Sequence, residues 1–179
     1  MSDVTLVSPM ASGSRTRTPA PRWNGIDGTI IVSDSMLNTE AGWGSGIQSA
    51  VGEAFTRASP STRITTVTRP QIGDHRPHEW VEELAAGGVS GLVVTAGDCA
   101  TCTSRALREC VLAEDAGIPA TAIVPEALTD IVTATLESWS RPDLRVAWLT
   151  EPLFRWRPGS IATYASGAAK EAWEILTDH

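Results

Sequence analysis

Past residue 24 the chain alternates short apolar runs with stretches in which apolar residues recur every three or four positions. Thr29-Ile30-Ile31-Val32, set between Gly28 and Ser33-Asp34-Ser35, is β-branched and predicts a strand. From about Gly46 to Ala58, Ile47, Val51, Ala54 and Phe55 keep helical spacing. Arg63 to Thr68 predicts a second strand, stopped by Pro70, and Pro77 opens a helix that carries Trp80, Val81 and Leu84 to Gly87-Gly88. Val89 to Thr95 is nearly continuous in apolar residues, as a central buried strand would be. Then come a helix from about Cys102 to Ala116 with Gly117 at its C-cap, a strand from Ala120 to Val124 and a helix from Glu126 to Trp139. A strand over Leu144–Leu149 and a helix from about Ser160 to Leu176 complete the pattern.

Five strands alternating with five helices predict an α/β fold, one doubly wound and mostly parallel sheet covered on both faces. The flavodoxin-like order 2-1-3-4-5 is the expectation for five strands. Ligands of such sheets bind beyond the carboxyl ends of the strands, at the switch point between strands one and three. That places a site where residues 33–46 meet residues 96–103.

Composition refines this picture. The chain has 179 residues, enough for one domain over 25–179 with a core that needs neither disulfides nor metals. Residues 1–24, rich in Ser, Thr, Pro and Arg, predict a disordered or arm-like tail, either solvated or packed on a partner subunit. The net charge of −7 argues against nucleic acid or an anionic membrane as partner. Met1 to Arg22 lacks the apolar stretch of a signal peptide, and three cysteines are a poor disulfide framework, so a cytoplasmic location is expected.

The candidate chemistry lies after strand three, in Thr95-Ala96-Gly97-Asp98-Cys99-Ala100-Thr101-Cys102-Thr103-Ser104. This puts a Cys-x-x-Cys pair where a buried strand gives way to a helix. Unpaired N–H groups and the helix dipole at such a junction favour a thiolate. Two intervening residues also let one sulfur attack and the other resolve. Cys99, at or just before the first turn, is the expected nucleophile, and Cys102, within that turn, the expected resolving thiol. Asp98 could raise the Cys99 pKa, cap the helix or donate a proton to a leaving group. Thr101, Thr103 and Ser104 offer hydroxyls to a thiolate or a bound anion. Cys110, inside the helix, reads as a core residue.

The stretch Gly97-Asp98-Cys99-Ala100-Thr101-Cys102-Thr103-Ser104, followed by a helix and Gly117-Ile118-Pro119, resembles the UGSC family of seleno- and thiol proteins. That family is named for Sec-Gly-Ser-Cys and is related to the selenoprotein B component of glycine, sarcosine and betaine reductases. The resemblance extends to Ser33-Asp34-Ser35-Met36-Leu37-Asn38 and to Arg141-Pro142-Asp143-Leu144-Arg145-Val146. It implies that Cys99 stands at the selenocysteine position and Cys102 at that of the resolving cysteine. Ala100-Thr101 replaces Gly-Ser, Thr150-Glu151-Pro152 stands where the family tends to carry His-Pro, and the lysine of the first loop is absent.

Other residues are expected around the same crevice. Asp34 and Asn38, past strand one, could orient an amine or carboxyl group, and Glu126 and Glu151 lie after strands four and five. Gly42-Trp43-Gly44-Ser45-Gly46 has glycine enough to cradle an anion with its N–H groups, but matches no nucleotide fingerprint. His75 and His78 flank Pro77, where one could act as a base. Their spacing to the cysteines is not that of zinc ligands, so neither metal nor cofactor is expected. Trp43 and Trp156 are candidates for a pocket wall or a subunit interface.

The leading expectation is a thiol-dependent enzyme of small-molecule metabolism, an oxidoreductase, lyase or sulfur-transfer enzyme. Its partners would be a small-molecule substrate and either a reductase or further copies of the chain. Two alternatives stand beside it. One is a cofactor-independent racemase or decarboxylase with a single catalytic Cys, for which the second base is missing. The other is a non-catalytic subunit whose thiols sense redox state.

Overall fold

The computed structural model describes residues 19–24, 27–35, 43–68, 76–151 and 160–177. Five parallel strands, β1 (Thr29–Asp34), β2 (Arg63–Thr68), β3 (Gly91–Thr95), β4 (Ala120–Pro125) and β5 (Val146–Leu149), form one sheet in the order β2-β1-β3-β4-β5. The connecting helices are α1 (Trp43–Ala58), α2 (Pro77–Ala86), α3 (Ala100–Asp115), α4 (Thr129–Ser138) and α5 (Ile161–Thr177). This is the doubly wound, flavodoxin-like order expected from the alternation of elements.

Side chains alternate across each strand and so feed two cores. On one face Val32, Val93, Ile123 and Leu149 pack under α1 and α5. On the other, Ile31, Leu92, Val94 and Val124 pack under α2, α3 and α4. Every residue of β3 and β4 is buried, which explains their unbroken apolar runs. Trp173 of α5 meets the rings of Trp23 and Phe55 edge-on at centroid distances of 5.3 and 5.2 Å. Such pairs contribute about 0.5–1.5 kcal/mol each beyond the area they bury. The guanidinium of buried Arg141 is held by Asp115, Asp143 and the Val111 carbonyl, which ties the chain entering β5 to the end of α3.

Several boundaries shift from their expected places. α1 begins at Trp43 rather than Gly46, because Gly44 and Gly46 are packing positions inside its first turn. β1 runs two residues further, so Asp34 ends the strand instead of following it. The stretch from Glu126 opens as a 3-10 turn over Glu126–Leu128 before α4 begins. Gly117 follows α3 at φ 84°, the left-handed conformation that ends a helix at low cost with glycine.

Residues 19–24 form an arm that packs on the body of the chain itself. Ala20 and Trp23 are buried, and the Trp23 N–H donates to the Leu176 carbonyl. The buried Glu114 carboxylate accepts from the Ala20 N–H (2.7 Å), the Arg22 guanidinium (2.8 and 3.1 Å) and the Ala120 N–H (2.9 Å). An arm thus crosses from the end of α5 to the end of α3. Among the described residues no helix is long and apolar enough to cross a membrane.

Candidate thiol site

β3 delivers the chain to the carboxyl edge of the sheet, where Ala96 is still bound to β4 through its N–H and the Ile123 carbonyl. Gly97 and Asp98 then turn the chain, with the Cys99 N–H donating to the Gly97 carbonyl at 2.7 Å. Cys99 has extended dihedrals and occupies the N-cap of α3. Its side chain does what a serine or aspartate does at that position: Sγ accepts the Cys102 backbone N–H at 3.3 Å. Asp98, one candidate for the cap, is not the capping residue.

The Cys102 N–H bonds the Cys99 sulfur, and Thr101 and the Cys102 thiol lie beside it. Partial burial pushes its thiol pKa up, but hydrogen bonds from the Cys102 thiol and N–H and from the Thr101 N–H and hydroxyl outweigh that effect. The net direction is down, toward the thiolate. The other two cysteines differ. Cys102 is buried in the first turn, with its sulfur turned to Cys99. Cys110 lies fully inside the core, where burial and then the charges of Glu109 and Glu114 hold its thiol well above the ordinary value. All three cysteines are free.

Asp98 is exposed beside Cys99, and its carboxyl pKa is raised by partial desolvation. A carboxyl shifted in this direction retains its proton to higher pH, which suits a donor to a leaving group.

The loop is braced from β1. The Ser35 hydroxyl donates to the Cys102 carbonyl at 3.1 Å, and the Ser35 N–H to the Thr95 carbonyl at 2.9 Å. The Thr95 hydroxyl returns a bond to the Ser33 carbonyl. Asp34 is only 3% exposed and turns to the α1 face, where its carboxylate lies against Gly44. A β-carbon at Gly44 would overlap that carboxylate, and one at Gly46 would run into Ile161 of α5. Gly44 thus leaves room for the Asp34 carboxylate at the start of α1, and Gly46 leaves room for Ile161.

The remaining expected residues scatter. Thr101 is exposed and Ser104 half-buried, whereas Thr103 is fully buried with its hydroxyl unpartnered among the described residues. Thr103 belongs to the helix interior. Glu126 and Glu151 are exposed beyond β4 and β5, and His78 is exposed in the first turn of α2. Asn38, His75 and Trp156 lie outside the described residues, as does the side chain of Trp43. Among the described residues no group of His, Cys, Asp or Glu is arranged to hold a metal ion.

Sequence reading missed two features of this region. One is the brace from Ser35. The other is the ion pair of Arg105 with fully buried Glu109, at 3.5 Å, one and two turns along α3 from Cys102. Its signal was present as Arg-x-x-x-Glu at i, i+4 on a helix.

A family model described as the UGSC family matches residues 5–178. The chain belongs to the UGSC family. The match takes in the thiol loop, β1 with Ser35, and residues 19–24 of the arm. A search of curated proteins finds no match. Among solved structures, the chain is similar to a diflavin flavoprotein A3 from Nostoc sp. at 9% identity and a TM-score of 0.42. That alignment covers 86% of this chain and 98% of the other. In this UGSC family member, Cys99 and Cys102 stand at the N-cap and in the first turn of α3.

Proposed function

We propose that this protein is a thiol-dependent enzyme in which Cys99 attacks a small-molecule substrate and Cys102 resolves the adduct. The observation that carries this reading is the Cys99 sulfur at the α3 N-cap, accepting the Cys102 N–H at 3.3 Å with its pKa lowered. In the first step the Cys99 thiolate attacks an electrophilic carbon or sulfur and expels a leaving group, which takes a proton from Asp98. In the second, the Cys102 thiol loses its proton and attacks the Cys99 sulfur. A Cys99–Cys102 disulfide forms, and the bound fragment departs with the electron pair and takes up a proton. An external dithiol then returns two electrons and two protons to the pair. The N–H groups of the first turn of α3 stabilise charge that develops beside Cys99.

The resemblance of the thiol loop to the UGSC family, itself related to the selenoprotein B component of glycine, sarcosine and betaine reductases, supports reductive cleavage as the reaction class. Asp34, at the same edge of the sheet, would orient a polar group of the substrate. The test is intact-mass analysis after incubation with candidate metabolites, with and without a dithiol. A mass increment that maps to Cys99 and disappears in Cys99→Ser supports the reading. Turnover that survives Cys99→Ser overturns it.

A further inference from the structure

The two edges of the sheet are finished differently. β5 is four residues long, and the carboxylate of Glu171 from α5 occupies its outward Trp148 N–H at 2.8 Å. β2 is six residues long and mostly exposed on both faces. The Arg63 N–H donates inward to the Gly28 carbonyl, and the register with β1 is unbroken from Arg63 to Thr68. Hydrogen-bonding direction alternates along a parallel strand, so Thr65 and Val67 also face β1, while Ile64, Thr66 and Thr68 turn their N–H and C=O groups outward. Among the described residues no backbone or side-chain group bonds to those three. From Ile64 to Thr68 the edge carries no charge, proline or bulge, with Arg63 at its start and Arg69-Pro70 following it in sequence.

We infer that β2 is the pairing surface for a second copy of this chain, joined antiparallel about a two-fold axis at Thr66. Such an axis, perpendicular to the sheet, keeps each side chain on its own face and so pairs residues whose numbers have the same parity. Thr66 then meets Thr66 of the second copy, and Ile64 meets Thr68 of the second copy. All of these positions present outward backbone groups, so one symmetric operation satisfies the edge and joins two five-stranded sheets into one of ten strands.

The helical layer fits the same operation. The Gln48 side chain donates to the carbonyls of Val32 and Val67, both at 3.1 Å, which fixes α1 over the seam between β1 and β2. Strands are spaced by about 4.8 Å, so two symmetry-related α1 helices would lie about 9–10 Å apart, the distance at which helices pack. The flank of α1 toward the edge is small at Ser49, Gly52 and Thr56, which permits that approach, and carries the charged side chains of Glu53 and Arg57 beside them. Between this flank and β2 runs a groove of about 470 Å³ over Ile64 and Thr66, which the second copy's α1 flank would enter. A peptide partner would satisfy the strand edge but leave the α1 flank uncovered. A second copy covers both.

The test is sedimentation velocity on the full chain from about 1 to 100 μM under reducing conditions, which removes intermolecular disulfides. The expected species has twice the 19.0 kDa chain mass. Thr66→Lys places two ammonium groups on the axis, and Thr66→Pro deletes an N–H that points away from β1 while sparing the ladder to β1. Each should weaken dimerisation at least tenfold while circular dichroism and melting temperature stay those of a folded domain. A wild-type chain that remains monomeric at 100 μM overturns the inference. So does a dimer that survives both substitutions in folded protein.

Discussion

The Cys102 backbone N–H donates to the Cys99 sulfur across 3.3 Å, so the nucleophile of the proposed reaction is also the N-cap of α3. One geometry serves both purposes. The orphan N–H groups of a first helical turn need an acceptor, and a thiolate needs donors.

It follows that Cys99 should alkylate at lower pH than a free thiol. The net pKa direction is down, so the native state favours the thiolate, and the rate of reaction with iodoacetamide should reach half its plateau at lower pH than that of a free thiol. The same sign applies to stability: this contribution is present above the unfolded thiol pKa and fades as pH falls through the native value. Cys110 should stay unmodified until the protein unfolds, since burial and two neighbouring carboxylates raise its pKa. A Cys99 midpoint at or above that of a free thiol would remove the basis for nucleophilic activation.

Cys99→Ser should abolish turnover and any covalent adduct while leaving the melting temperature within a few degrees, because a hydroxyl still caps the helix. Cys102→Ser should let the adduct on Cys99 accumulate, since the first bond forms and resolution fails. Mass spectrometry after a single turnover separates the two outcomes. An adduct that clears at the wild-type rate in Cys102→Ser protein would remove the resolving role.

The arm makes a prediction that composition alone does not. Residues 1–22 look dispensable as a sequence, yet Glu114 accepts from Ala20 and Arg22 while buried. Deleting residues 1–22 removes both donors and leaves the carboxylate with the Ala120 N–H as its remaining described partner. Loss of hydrogen bonds to a charged group costs about 1.5–3 kcal/mol, and a domain of this size loses about 2–4 °C per kcal/mol. The melting temperature should therefore fall by about 3–12 °C. Arg22→Ala should give about half of that, and an unchanged melting temperature in the deletion would show that Glu114 finds other donors.

What the sequence made legible is what depends on neighbours in the chain. Val89 to Thr95 announced a central strand because a strand buried on both faces has no polar phase. Two-residue spacing placed Cys99 and Cys102 on one turn because capping is decided within four residues. What the sequence left illegible comes from long-range contacts. Gly42 to Gly46 looked like an anion cradle, and composition cannot reveal that Gly44 meets Asp34 or that Gly46 meets Ile161, 115 residues further along. Glu114 finds Ala20 and Arg22 at separations of 94 and 92 residues, so nothing local marks the arm as structured.

The last prediction concerns Gly44 and the wall of the site opposite the thiols. Asp34 closes β1 with its carboxylate against the second residue of α1, where a side chain at position 44 would collide with it. Gly44→Ala must therefore move either the helix or the carboxylate. Overpacking of this kind costs about 1–3 kcal/mol, more than the gain of up to about 1 kcal/mol from replacing glycine in a helix. Gly167→Ala is the matched control, because nothing lies within 4 Å of a β-carbon at that α5 position, and it should leave stability equal or slightly higher. If Asp34 orients the substrate, Gly44→Ala should slow adduct formation at least several-fold. Alkylation of Cys99 by iodoacetamide should be untouched, since none of the groups that lower the Cys99 pKa comes from β1 or α1. Equal slowing of both reactions would mean that the substitution disturbs the thiol loop itself. Slowing of neither, in a protein that melts at the lower temperature, would take Asp34 out of the site.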